Sequence, residues 1–275
     1  MPEQNSIRAV ICPRCGKMIS ANAESCMHCG MKNSNLWGLS DFIRRIFGGR
    51  SSLVPVISTA CISLYVLSLL LQPGAIFPSG GNLLFGLGRP DSNVLIKLGM
   101  TGAVALDRGQ WWTWLTAIYL HGGILHIVFN VLWIRQLGPA VEDFYGVSRS
   151  FLIFTIAGVT GFILSSYAGN YFTLGASGSI FGLLGALIYY GRKRGGTFGS
   201  AIYRQMGQWA LVLFIFGFLF PGIDNFAHAG GFVGGYLSAN LLGFTEMKRE
   251  NRTHQLLTFG AMGLTLLAFV LAILN

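Results

Sequence analysis

A serine lies between small residues where a long apolar segment begins, in the run Gly175-Ala176-Ser177-Gly178. A serine hydroxyl becomes a nucleophile when a neighbouring base takes its proton, and a neutral histidine is the usual base. If the apolar segment is a helix, the backbone N–H of Ser177 is available to a developing oxyanion, and the positive end of the helix dipole favours that negative charge. The position therefore indicates hydrolytic chemistry, provided that a histidine reaches it.

Three of the five histidines lie in or beside apolar segments, at positions 121, 126 and 228. His126 and Asn130 are four residues apart, so they share one helical face. The segments of Ser177 and His228 are both expected to begin at the outer face of a membrane, which places the two side chains at one depth. We therefore predict Ser177 as nucleophile, His228 as its base, and His126 and Asn130 as donors to the oxyanion.

These histidines have two other possible interpretations. A buried histidine is often a hydrogen-bonding residue that joins helices, and three histidines would also suit a metal or haem carrier. The carrier interpretation gives no purpose to Asn130 or to the glycines around Ser177. Asp224 is the one carboxylate near His228, and we expect it at the outer membrane boundary, so the pattern predicts a Ser–His dyad rather than a triad.

The composition is that of an integral membrane protein. Of 275 residues, 52% are hydrophobic and 11% are charged, whereas an ordinary soluble domain has about 25% charged residues. A helix needs about 17–25 residues to cross a membrane. Apolar runs predict seven spans, the fifth being the shortest, at 53–71, 114–137, 150–168, 175–191, 207–221, 226–244 and 255–274.

The distribution of lysine and arginine predicts the orientation. Basic residues concentrate in the 192–204 and 245–254 connections, which places the N-terminus in the cytoplasm and the C-terminus outside. The net charge of +9 then indicates attraction to anionic membrane lipid rather than nucleic-acid binding. We expect no cleaved signal peptide, because the N-terminus is polar for about fifty residues, and we expect a bacterial plasma membrane as the location.

The polar N-terminus contains two Cys-x-x-Cys pairs, formed by Cys12 with Cys15 and by Cys26 with Cys29. Four thiolates in two such pairs suit a tetrahedral structural zinc site, and a glycine after each pair permits a left-handed turn. A disulfide framework or a redox pair fits less well in the reducing cytosol. We predict a zinc ribbon there.

Three motifs resemble the signatures of the rhomboid family of intramembrane serine proteases. They are HGGILHIVFN at 121–130, GASG at 175–178 and AHAGGFVGG at 227–235, and the resemblance extends over residues 53–245. It implies a six-helix core. It also implies that the substrates are single-span or polytopic membrane proteins and that catalysis needs no cofactor. The fold class expected is therefore an all-α polytopic membrane protein: that core, one added C-terminal transmembrane helix, and a small zinc ribbon before it.

The resemblance also implies a role for individual residues. Ser177 is the implied nucleophile and His228 the implied general base, with the oxyanion hole formed by His126, Asn130 and the Ser177 amide. The supporting residues implied are a polar residue near the site opening, an aromatic against the catalytic histidine and two helix-packing glycines: His121, Phe181, Gly231 and Gly235. The function implied is hydrolysis of peptide bonds in or near transmembrane segments.

One position departs from the family pattern, since Trp112-Thr113 stands where the family usually has Trp-Arg. The alternative function is a non-catalytic rhomboid-like protein that binds membrane proteins, which would be expected to lack the serine or the histidine. The predicted domains are a zinc ribbon, a linker with an amphipathic segment, the catalytic core and the additional helix, at 1–36, 37–52, 53–245 and 246–275.

Overall fold

The computed structural model describes residues 9–11, 17–20, 23, 25–30, 52–72, 88–220, 222–248 and 250–274. By its internal contacts the chain divides into two compact units, residues 1–52 and residues 53–275. Cys12, Cys15 and the predicted amphipathic segment lie outside the described residues.

The first unit contains a two-stranded antiparallel hairpin, β1 (Ala9–Ile11) and β2 (Met18–Ser20), in which Ala9 pairs with Ser20. Cys12 and Cys15 fall in the sequence between these strands. After the hairpin, the Gly30 N–H donates to the Cys26 carbonyl at 2.8 Å, and Gly30 has φ +68°. A left-handed residue therefore follows the second cysteine pair, in the conformation that glycine adopts most readily.

The second unit is helical. Seven of its described helices have 18 residues or more, and three short helices and a 3₁₀ turn (Ala117–Tyr119) lie between the first two of them. In chain order the helices are α1 (Leu53–Leu70), α2 (Ser92–Lys97), α3 (Ala103–Asp107), α4 (Thr113–Thr116), α5 (Ile124–Tyr145), α6 (Val147–Tyr167), α7 (Ser177–Arg194), α8 (Gly196–Leu219), α9 (Asn225–Leu242) and α10 (Arg252–Leu274).

Within the described part of the chain, five helices are long and apolar enough to cross a membrane: α1, α5, α6, α8 and α10. The α-helical membrane fold predicted from the sequence is confirmed. α7 and α9 are as long as α1, but α7 ends in three basic residues and α9 is rich in glycine. That α7 and α9 also cross the membrane, which would make seven spans in all, stays a prediction.

Helix α7 forms the centre of the unit. It packs against α5, α6, α8 and α9, and its residues from Gly178 to Gly191 are all buried. α9 packs on both α6 and α7, whereas α1 packs mainly on α5, and α10 packs on α4 and α6. α8 is peripheral, because Gly199 and Gly217 are its only buried residues.

Two helices begin elsewhere than the apolar runs predicted. The run at 114–137 is interrupted, since α4 and the 3₁₀ turn end at Leu120 with extended backbone and α5 begins at Ile124. Just before this break, the Thr116 hydroxyl donates to the Gly99 carbonyl at 2.6 Å and holds the end of α4 against the preceding loop. Helix α8 begins at Gly196 rather than near 207, because a helix can extend past its apolar portion into polar sequence.

Candidate active site

Ser177 is the first residue of α7 and is half-buried. The N–H groups of a helix's first turn have no partner within the helix, so the Ser177 amide is exposed to whatever faces this end. Gly175 precedes it with φ +118°, and its N–H donates to the Ala117 carbonyl at 2.8 Å. A Cβ at Gly175 would lie 2.5 Å from Nε2 of His126. Both the backbone angle and the close approach therefore require glycine before the serine.

The first turns of α7 and α9 meet without side chains between them. A Cβ on Gly178 would lie 3.1 Å from the Ala227 carbonyl oxygen. One turn further along α9, Gly231 abuts the Gly178 backbone, and Gly235 abuts the Gly182 backbone. Small residues at such intervals let helix backbones approach closely. The contact brings the residue after Ser177 against the residue before His228.

His228 lies in the first turn of α9 and is 6% exposed. Its ring stacks on the ring of Phe181, with centroids 4.2 Å apart and an interplanar angle of 18°. Phe181 is one helical turn after Ser177, so the stack holds the imidazole beside the first turn of α7. The buried Nδ1 of His228 has no hydrogen-bond partner among the described residues.

His126 and Asn130 approach the same place from α5. Nδ1 of His126 accepts the Gly122 N–H at 3.5 Å, which leaves the ring proton on Nε2, the atom that faces Gly175. The Asn130 side-chain amide donates to the His126 carbonyl at 2.9 Å. Its nitrogen lies 3.8 Å from the position that a Cβ on Gly175 would occupy. Two side-chain N–H donors therefore border the residue that leads into Ser177.

His121 lies in the connection before α5 and not within the second long helix, which corrects the sequence prediction of its segment. Its side chain is 1% exposed. Nδ1 lies 3.2 Å from the Tyr119 carbonyl, and because a carbonyl only accepts, this nitrogen carries the proton. The His121 and His126 rings are 5.1 Å apart, centroid to centroid. His121 therefore supports the wall of the site behind His126.

Asp224 binds several groups next to this site, a role that sequence reasoning missed. It is the N-cap of α9, and its side chain accepts the Ala227 N–H at 2.9 Å. It also accepts bonds from side chains on α6 and on the 168–176 loop, namely Ser165, Asn170 and Thr173. An aspartate immediately before an apolar helix is a recognisable N-cap signal, but the other three partners have no sequence pattern.

Thr113, the position where the sequence departs from the expected Trp-Arg pair, is buried in α4. Its hydroxyl donates to the Gln110 carbonyl at 2.7 Å and lies 2.9 Å from the Thr101 hydroxyl. Thr101 in turn forms a two-residue antiparallel bridge with Thr173. The threonine thus ties the loop before α4 to the loop before Ser177.

The described residues also bear on metal binding. Cys26 is buried and Cys29 half-buried on the turn that Gly30 closes, which suits two ligands of a ribbon. The histidines of the helical unit do not form a metal-binding cluster, since no three His, Cys, Asp or Glu residues in the described ranges are suitably grouped.

Comparison with known protein families places this site in context. Residues 108–244 match the rhomboid domain, and this range includes Ser177, His228, His126 and Asn130. This chain contains a rhomboid domain. Residues 11–33 match a zinc-ribbon domain and include all four N-terminal cysteines. The resemblance drawn from the motifs is confirmed, and a rhomboid domain with several apolar helices makes the chain a multi-pass integral membrane protein.

Several relatives of this chain carry the word rhomboid in their names. Rhomboid protease GluP of Bacillus subtilis is 38% identical over 190 residues, which is 68% of this chain and 34% of that protein. RHOMBOID-like protein 1 of Arabidopsis thaliana is 32% identical over 194 residues, 68% of this chain and 47% of that protein. Rhomboid-type serine protease 2 of Emericella nidulans is 34% identical over 148 residues, 52% of this chain and 28% of that protein. The chain therefore spans less than half the length of each of these three relatives.

Proposed function

We propose that this chain is an intramembrane serine protease that hydrolyses peptide bonds in or near transmembrane segments of membrane proteins. The observation that carries the proposal is the backbone contact between the first turns of α7 and α9, which brings Ser177 and His228 to one end of the bundle. Two relatives of the chain are named as rhomboid proteases. The presence of both residues argues against the non-catalytic alternative.

Ser177 is the proposed nucleophile and His228 the proposed general base. Nδ1 of His228 is enclosed without a polar partner, so Nε2 is the nitrogen that we assign to take the Ser177 proton. The serine oxygen attacks the substrate carbonyl carbon, and the protonated imidazole then gives its proton to the leaving amine. Water, deprotonated by His228, hydrolyses the resulting acyl ester and restores the serine.

Asp224, the acid that could complete a triad, binds other groups. Both carboxylate oxygens of Asp224 accept hydrogen bonds from groups other than His228. The stack on Phe181 takes over the orienting role that a carboxylate has in a Ser-His-Asp site. These contacts support a dyad.

His126, Asn130 and the Ser177 amide are the proposed oxyanion hole. Nε2–H of His126 and the second N–H of the Asn130 amide face the backbone that enters α7. Donors fixed before the reaction stabilise developing negative charge without reorganising, and the effect is largest where water is excluded. The glycine at 175 gives these donors room.

A substrate must present an extended peptide bond at this site. The carbonyls of an intact transmembrane helix are hydrogen-bonded within the helix, so the substrate has to unwind locally before Ser177 can attack. With the N-terminus in the cytoplasm, as the basic connections indicate, the site lies near the outer face. We infer cleavage near the external boundary of a substrate's membrane segment, at small residues and faster where glycine or proline weakens the helix.

The N-terminal ribbon is proposed to hold one structural zinc ion through Cys12, Cys15, Cys26 and Cys29. Metal would supply the folding free energy that so small a unit lacks. Residues 1–36 alone should bind about one equivalent of zinc and lose structure on chelation, and zinc retained after all four cysteines are changed to serine would refute the assignment. The rhomboid domain is expected to keep its activity without the ribbon.

The direct test of the protease proposal uses the purified full chain in liposomes with a panel of single-span substrates. Wild type should release two fragments whose masses locate the cut near the external boundary. Ser177→Ala and His228→Ala should each abolish cleavage to a similar degree, because members of one catalytic unit do not contribute additively. Cleavage by Ser177→Ala at the wild-type rate would refute the mechanism.

A further inference from the structure

The carboxylate of Asp224 joins three separate segments beside Ser177 and His228. Its Oδ1 accepts the side-chain N–H of Asn170 at 2.9 Å and the Ala227 N–H at 2.9 Å. Its Oδ2 accepts the Thr173 hydroxyl at 2.7 Å and also the Ser165 hydroxyl. One half-buried side chain therefore connects the end of α6, the loop before α7 and the start of α9.

The position of these bonds relates the two reacting residues directly. Thr173 precedes Ser177 by four residues, and Asp224 precedes His228 by four residues. The Thr173–Asp224 hydrogen bond therefore joins the two segments that carry the reacting residues, four residues before each of them. Further support comes from Asn170, whose amide also donates to the Ser165 hydroxyl at 3.0 Å.

The opposite edge of the same loop is held by different bonds. Thr101 and Thr173 exchange backbone hydrogen bonds at 2.8 and 3.2 Å, and the Ala103 N–H donates to the Asn170 carbonyl at 2.8 Å. These bonds fix the loop to the start of α3 and do not reach α9. Within the described ranges, Asp224 provides the side-chain bonds from this loop to α9.

We propose that Asp224 is a positioning residue, whose carboxylate sets the loop before Ser177 against the helix start that carries His228. The inference rests on the proposed function. Asp224 touches protein groups and not the reacting atoms, so its loss should lower kcat while leaving KM unchanged. A displacement of about 1 Å at a reacting pair can cost about 100-fold in rate, and we expect a loss of about 10- to 100-fold.

Substitutions separate this role from helix capping. In Asp224→Asn the amide oxygen can still cap α9, since asparagine is as good an N-cap as aspartate, but the side chain no longer accepts from both hydroxyls. Thr173→Val and Ser165→Ala each remove one donor and keep the carboxylate. They keep the inference testable if Asp224→Asn does not fold.

The bundle offers a matched control on the same helix. At the other end of α6, the Ser148 hydroxyl donates to the Glu250 carboxylate, just as the Ser165 hydroxyl donates to Asp224. Ser148→Ala removes the same kind of bond from a place far from Ser177. It should lower stability about as much as Ser165→Ala does, with kcat unchanged.

The experiment measures kcat and KM on a single-span reporter in liposomes, together with amide hydrogen exchange of residues 168–176 and 225–228. Asp224→Asn should lower kcat at constant KM and speed exchange in both segments, whereas Ser148→Ala should do neither. Unchanged exchange in Asp224→Asn would overturn the inference, and so would faster exchange at wild-type kcat. If Ser177→Ala also cleaves the reporter, the proposed function fails, and the exchange data still decide whether Asp224 holds the loop.

Discussion

The two ends of the helix bundle both join helices through buried polar groups, but most of the described side-chain atoms that are buried without a partner lie towards one end. At the start of α6, the fully buried Arg149 donates to the carbonyls of Tyr145, Gly243 and Lys248 and to the Thr245 hydroxyl. Nearby, the Tyr190 hydroxyl donates to Glu246 at 2.9 Å. The Arg149 guanidinium and the Tyr190 hydroxyl are therefore both paired with acceptors.

The end that carries Ser177 differs. Among the described residues there, Nδ1 of His228, Nε2 of His121 and Nε1 of Trp112 are buried without a hydrogen-bond partner. A buried polar atom without a partner costs free energy, and a catalytic role is one reason for a protein to keep it. The comparison supports the proposal that one end serves stability and the other serves reaction, and five substitutions test that division.

The largest effect is expected from Arg149→Leu, which leaves several buried carbonyls without a donor. Since each unsatisfied group costs about 1–3 kcal/mol, we expect the free energy of unfolding to fall by at least about 3 kcal/mol. Denaturant unfolding in detergent measures the change. The exposed Arg135 on α5 supplies the control, and equal losses from Arg149→Leu and Arg135→Leu would contradict the division. The folded fraction of Arg149→Leu should retain the wild-type kcat.

Asn130→Ala should have the opposite profile, with a large loss of rate and a small loss of stability. Removing one oxyanion donor costs roughly 100-fold in kcat, which a cleavage assay measures at saturating substrate. Asn240, whose side chain accepts the Tyr189 hydroxyl at 2.8 Å towards the other end of α9, provides the matched asparagine. A similar rate loss in Asn240→Ala would show that the effect is not specific to the site.

Two aromatic stacks sharpen the comparison. Phe181 stacks on His228, and at the other end Phe144 stacks on Tyr190 with centroids 4.0 Å apart. Either stack is worth about 0.5–1.5 kcal/mol. We expect Phe181→Leu to lower kcat about tenfold, because 1.4 kcal/mol of lost orientation corresponds to that factor. Phe144→Leu should lower the melting temperature at constant kcat, and a rate loss in it would count against a special role for Phe181.

The smallest effect is expected at an exposed ion pair. Arg194 and Glu246 lie 3.2 Å apart with side chains 35% and 55% exposed, and such pairs contribute about 0–1 kcal/mol. Arg194→Ala should therefore change neither kcat nor, within about 1 kcal/mol, stability. Thermal unfolding at low and high salt provides the measurement, and a loss as large as that of Arg149→Leu would mean that this end depends on its surface charges.

The sequence predicted the features that depend on residues close together in the chain. Apolar runs predicted the long helices, and three motifs predicted the rhomboid family. The break between α4 and α5 was missed, and the segment before it is held by a contact between residues distant in sequence, Thr116 and Gly99. The Asp224 network was also missed, since hydroxyls and amides from α6 and a loop form it. Long-range polar contacts of this kind leave no periodic signal.

The most direct test of the central claim is covalent labelling of Ser177 by a fluorophosphonate, read by intact mass and peptide mapping. An activated serine displaces fluoride from the probe, and activation requires the base. We predict one adduct, on Ser177, in the wild type and in Ser148→Ala, and none in His228→Ala. Labelling of His228→Ala at the wild-type rate, or of a different serine in Ser177→Ala, would contradict the dyad.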